Sequence, residues 1–168
     1  MINFINNNTA EPFLKLREKY SYAVKHNQRS VEAVSISSFN KLRGEVNCRY
    51  VNLKTIDNNK FIFFTNYNSE KSIEFKSHDQ IAATLYWQSI NTQIRIRAKI
   101  KKTSIEFNQI YFQNRSSKKN ALAISSKQSS SIDSYESIKN NYKKSLELDN
   151  LKECPDYWGG YSFEPYYF

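Results

Sequence analysis

The aromatic run Phe61-Ile62-Phe63-Phe64 stops at Thr65-Asn66-Tyr67-Asn68-Ser69, and Lys71 follows after Glu70. A β-prone strand that breaks into small polar residues before a helix offers hydroxyls, backbone N–H groups and one cation at a sheet edge. That is the donor set a phosphate group needs. The same residues also read as a plain strand, turn and solvated lysine. Arg49 and Lys54 flank Tyr50-Val51-Asn52-Leu53 in a second β-prone stretch. Tyr111 and Arg115 stand four apart in a helical pattern and would share a face. Surface exposure and binding of a small anion are both open for that pair.

These residues need a scaffold, and composition bounds it. The chain has 168 residues, 39% hydrophobic and 15% aromatic. That suits one domain, residues 1–168, with a real core. Aromatic and β-branched residues favour strands. With three glycines and three prolines, Asn and Ser must carry much of the turn chemistry. The formal net charge is +9, but the lysines are scattered rather than blocked. The charge suggests an anionic partner, whether nucleic acid, membrane surface or a phosphorylated small molecule, and so diffuse a field is more often solubility than a nucleic-acid footprint. Two cysteines and two histidines without metal-ligand spacing argue against structural zinc. The N-terminus lacks a leader pattern and no window spans a membrane, so the chain reads as soluble and cytoplasmic.

Periodicity supplies the elements. Residues 1–10 read as a loose arm, and Glu11 to about Asn27 as a helix with Pro12 in its first turn. Strands are expected at Val31–Ser38, Val46–Ile56, Lys60–Asn66 and Ile81–Trp87. Gln93–Lys101 alternates most cleanly, with Ile94, Ile96, Ala98 and Ile100 on one side and Arg95, Arg97 and Lys99 on the other. Short helices are expected at Ser69–Ser77, with Ile73 and Phe75 as its apolar residues, and at Glu106–Asn114. Asp133 and Glu136 have capping-box spacing before a further helix. Ser116–Ser131 reads either as polar linker or as an ordered site segment. Tyr161–Phe168 reads as a last strand, and Cys48 as a core residue. The fold class is mainly β with peripheral helices, an antiparallel barrel.

Five segments occur in a telling order: Arg49-Tyr50-Val51-Asn52-Leu53-Lys54, Phe64-Thr65-Asn66 with Ser69-Glu70-Lys71, Gln93-Ile94-Arg95, Lys127-Gln128-Ser129-Ser130, and Pro155-Asp156-Tyr157-Trp158-Gly159-Gly160. As an ordered set the chain resembles the pyridoxamine 5′-phosphate oxidase family from about Glu11 onward. The resemblance implies an FMN-binding split β-barrel, a homodimer, and oxidation of pyridoxamine or pyridoxine 5′-phosphate to pyridoxal 5′-phosphate. By the same resemblance, Arg49 to Lys54, Phe64, Thr65, Lys71, Gln93, Gln128, Ser129 and Trp158 would contact FMN. Lys54, Tyr111 and Arg115 would hold the substrate. A flavin-binding module, or a flavin oxidoreductase on another substrate, is the alternative. Glu70 stands where the family commonly has arginine, Phe64 where it has tyrosine, and Thr92 where it has arginine. The family's Arg-Leu-His substrate motif falls beyond Phe168, which implies weak or absent turnover of pyridoxine phosphate.

Overall fold

The computed structural model describes residues 1–125, 131, 134–148 and 150–168. It divides into two compact units. The first comprises Met1–Phe64, Glu74–Lys101 and Tyr161–Phe168, the second Thr65–Ile73 and Lys102–Gly160.

Eight strands among the described residues form one sheet: β1 (Asn3–Ile5), β2 (Ala33–Asn40), β3 (Glu45–Asn52), β4 (Thr55–Asp57), β5 (Lys60–Asn66), β6 (Gln80–Trp87), β7 (Thr92–Lys102) and β8 (Trp158–Tyr167). Their order is β1-β4-β5-β8-β7-β6-β2-β3, and the β1–β4 pair is parallel. The helices are α1 (Glu11–Lys25), α2 (Glu70–Ser77), α3 (Ile105–Gln113), α4 (Ser117–Ser125) and α5 (Tyr135–Leu146). The class is the expected one, mainly β with helices.

In the first unit the core follows strand alternation. Ile96, Ala98 and Ile100 of β7 are buried while Arg95, Arg97 and Lys99 are exposed. Phe61 stacks on Phe163 at 5.1 Å between ring centroids, and Phe63 lies 6.0 Å from Tyr161. The Trp87 indole N–H donates to the Val31 carbonyl at 3.0 Å, so a large apolar residue is buried with its one donor satisfied.

Several expectations change. The expected arm contains β1, anchored where the Ile2 N–H donates to the Tyr20 hydroxyl and the Asn3 N–H to the Lys54 carbonyl. The single strand expected over Val46–Ile56 is two. At the break, Leu53 N–H turns to the Glu32 carbonyl and Lys54 N–H to the Ile62 carbonyl, leaving the β2–β3 ladder. β3 is an edge strand, so Cys48 is exposed rather than a core residue. In α2 the buried residues are Ser72, Glu74 and Phe75, while Ile73 is 56% exposed. α5 is capped by Ser134, whose side chain accepts from the Ser137 N–H. Asp133 of the expected capping box lies outside the described residues.

In the second unit, Phe112, Ala121 and Ala123 of the helices and Leu151 and Trp158 are buried. The buried Asn120 side chain donates to the carbonyls of Phe112 and Leu151 at 3.0 and 2.8 Å. One amide thus ties the end of α3 to the segment after α5. Gly159 and Gly160 lie inside β8 rather than ahead of it.

Candidate functional site

The segment after β5 is tightly folded on itself. The Ser69 and Ser72 hydroxyls both donate to the Asn66 carbonyl, at 2.7 and 3.0 Å. The Asn66 side chain accepts from the Asn68 N–H at 2.7 Å. This knot converts strand to helix within three residues and fixes where α2 starts. Lys71, in the first turn of α2, donates from Nζ to the Thr65 hydroxyl at 3.3 Å. Two residues expected to contact one phosphate are therefore together. Glu70 beside them is exposed. Phe64, the preceding residue in β5, is half-buried.

Trp158 anchors the other cluster of the second unit. Tyr111 of α3 stacks on its indole at 6.4 Å and 20° between planes. The Arg115 guanidinium carbon lies 4.5 Å from the indole centroid. Arg115 follows the C-terminus of α3 and donates to the Lys119 carbonyl at 3.0 Å, while its Nη1 is buried with no hydrogen-bond partner among the described residues. Burial pushes the Arg115 pKa down, opposed by the nearby Tyr111 and Cys154. A guanidinium that is desolvated and incompletely bonded favours an anion if it can reach one. Trp158 also lines a cavity of about 350 Å³ with Tyr67, Lys102, Ile105, Cys154 and Asp156. Burial holds the Cys154 thiol up at about 11.

Tyr67 organises that cavity. Its hydroxyl donates to the Gly160 carbonyl at 2.9 Å and accepts from the Asn108 amide at 3.0 Å. The Asn108 oxygen accepts from the Thr103 hydroxyl and the Gly160 N–H. A Cβ at Gly159 would overlap both Tyr67 and Asn108, which explains a glycine inside a strand. The Tyr67–Asn108–Thr103 network was not among the expected site residues, because its members are separated by up to 41 positions.

In the first unit, Arg49 of β3 is 19% exposed and bound on two sides. Nη2 donates to Glu74 Oε2 at 2.8 Å, and Nη1 to the Ser38 hydroxyl. Ser38 in turn donates to Glu74 Oε2, and the Asn47 amide donates to Oε1 at 2.6 Å. Burial raises the Glu74 pKa, but hydrogen bonds from Ser38, Asn47 and Arg49 outweigh it and hold the carboxyl below its ordinary value. Tyr50 is 77% exposed, Asn52 exposed, Val51 and Lys54 half-buried, and Leu53 fully buried. Leu53 is thus a core residue whose side chain is enclosed by protein. Gln93 is exposed at the start of β7. Gln128 and Ser129 lie outside the described residues.

A family model described as pyridoxamine 5′-phosphate oxidase matches residues 23–147. The chain belongs to the pyridoxamine 5′-phosphate oxidase family. It is 30% identical over 159 residues to pyridoxine/pyridoxamine 5′-phosphate oxidase 1 of Hydrogenovibrio crunogenus, covering 94% of this chain and 73% of that protein. The Pseudomonas putida oxidase is 31% identical over 159 residues, covering 92% of this chain and 74% of that protein. Among solved structures, PhzG from Burkholderia lata, in complex with tetrahydrophenazine-1-carboxylic acid, superposes with a TM-score of 0.86 at 24% identity, over 93% of this chain and 77% of that one. A pyridoxamine 5′-phosphate oxidase-related, FMN-binding protein from Nostoc punctiforme gives 0.72 at 12% identity, over 89% and 80%. The family's split-barrel fold is the one expected from the ordered motifs. No helix among the described residues is long and apolar enough to cross a membrane.

Proposed function

We propose that this chain binds FMN and acts as a flavin-dependent oxidase of the pyridoxamine 5′-phosphate oxidase type. The observation that carries the reading is the Lys71–Thr65 contact at the start of α2, two residues to which the motif resemblance assigns FMN contacts. A phosphate dianion takes an ammonium and a hydroxyl as charge-assisted partners, and the helix N-terminus adds backbone N–H groups. The residues present therefore fit the cofactor. FMN when bound supplies the two-electron chemistry, with oxygen as the final acceptor.

The chain's own residues bind and orient. Lys71 and Thr65 hold the flavin phosphate. The stretch from Arg49 in β3 to Lys54 just after it lines the flavin, Leu53 by its backbone alone, and Gln93, Gln128 and Ser129 offer amide and hydroxyl partners to its ring edge. Trp158 is a buried anchor for Tyr111 and Arg115. Tyr111, Arg115 and Lys54 serve the phosphate of pyridoxamine or pyridoxine 5′-phosphate, Arg115 by turning outward from the indole. A homodimer is supported by the exposed apolar row on edge strand β3, with Val46 70% and Tyr50 77% exposed.

A second reading is a flavin oxidoreductase on another small molecule. It is favoured by Arg115 being folded onto Trp158 rather than presented as a phosphate clamp. Anaerobic flavin reduction with pyridoxine phosphate separates the two. Bleaching of the flavin with formation of pyridoxal phosphate supports the first. Bound FMN that stays oxidised rejects pyridoxine phosphate as the substrate.

A further inference from the structure

We infer that Glu74 is a positioning residue that sets the charge Arg49 presents to the flavin, and so governs how strongly the protein prefers a phosphorylated flavin over an unphosphorylated one. The inference rests on the flavin reading above. Its basis lies entirely in the first unit.

Glu74 is 1% exposed, so a ligand cannot touch it, whereas Arg49 retains 19% exposure. The guanidinium spends Nη2 on Glu74, and Nη1 on Ser38, with the Ile36 and Asn47 carbonyls at 3.4 and 3.3 Å. Both carboxylate oxygens are also engaged, Oε2 by Arg49 and Ser38, Oε1 by Asn47. The arrangement is a closed pair whose charges cancel. A phosphate approaching the exposed part of Arg49 meets half of a neutral pair rather than a full cation. Coulomb attraction from one partner is offset by repulsion from the other at nearly the same distance. The uncharged part of the flavin does not sense this balance, which makes the ratio of FMN to riboflavin affinity the informative quantity.

The test measures dissociation constants for FMN and riboflavin, by quenching of flavin fluorescence, in the wild type, Glu74→Gln, Arg49→Met and Arg49→Met/Glu74→Met. Glutamine keeps one acceptor oxygen for the guanidinium and Ser38, offers Asn47 an amide N–H that its own oxygen accepts once that side chain flips, and removes the charge. FMN is expected to bind Glu74→Gln about tenfold more tightly, the scale of one charge-assisted bond, with riboflavin unmoved. Arg49→Met leaves an uncompensated carboxylate and should loosen FMN relative to riboflavin by about the same factor. Adding Glu74→Met should restore the greater part of that loss. A ratio that stays level or falls in Glu74→Gln, or an Arg49→Met defect that Glu74→Met fails to restore, overturns the inference. If Glu74→Gln does not fold, the restoration decides alone, because an apolar pair is tolerated where a lone buried charge is not. Wild-type protein that binds neither flavin refutes the flavin reading itself. Wild-type FMN binding with a silent Glu74 refutes only this role.

Discussion

The Lys71 ammonium lies 3.3 Å from the Thr65 hydroxyl, so the first turn of α2 folds a cation back onto the end of the strand that precedes it. The serine and asparagine knot between them makes this contact a property of the local chain. If Lys71 holds a flavin phosphate, Lys71→Met should weaken FMN binding by about 1.5–3 kcal/mol, the range for a hydrogen bond to a charged group. Riboflavin, which lacks the phosphate, should lose far less. Isothermal titration with both flavins checks this, and equal losses would place Lys71 elsewhere.

Arg49→Ala should lower stability as well as FMN affinity. It leaves the Glu74 carboxylate buried without its ionic partner, a change that typically costs about 3–5 kcal/mol. Urea unfolding of the wild type and the variant measures it. A loss under about 1 kcal/mol would class the pair with surface ion pairs and contradict its burial.

Acid should unfold the protein partly through Glu74. Its folded pKa lies below the ordinary 4.5, so its contribution is fully present above that value and is lost as pH falls through the folded one. Melting temperature should therefore drop more steeply below about pH 4.5 in the wild type than in Glu74→Gln. Parallel curves would show that the carboxyl titrates alike in both states.

Gly159→Ala should destabilise by at least about 1–3 kcal/mol, the usual cost of overpacking. The added methyl would collide with Tyr67 and Asn108, which are both tied to Gly160. Thermal unfolding would reveal it, and an unchanged midpoint would mean that Tyr67 moves aside freely.

Much of this was legible from the residues. The alternation of β7 is strict because one face meets the core and the other meets water, so Ile96 to Ile100 announced themselves. The Thr65–Lys71 segment was legible because its chemistry is contained in seven consecutive residues. Glu74 was not. It occupies a buried position in α2 while Ile73 beside it is exposed, the reverse of what hydropathy predicts. Its partner Arg49 is 25 residues away, and no local pattern encodes a pair at that separation. The break at Leu53-Lys54 was hidden for a similar reason. Leu53 and Lys54 are as β-compatible as their neighbours, and only the Glu32 and Ile62 carbonyls end the ladder there. Tyr111 and Arg115 did come together, both against Trp158.

FMN binding is the central claim, and a thermal melt of the purified protein with and without FMN tests it most directly. FMN at about 100 times its dissociation constant should add roughly 2.7 kcal/mol of stability and raise the midpoint accordingly, with the protein carrying flavin absorbance. A colourless protein whose midpoint does not move at millimolar FMN would contradict the account.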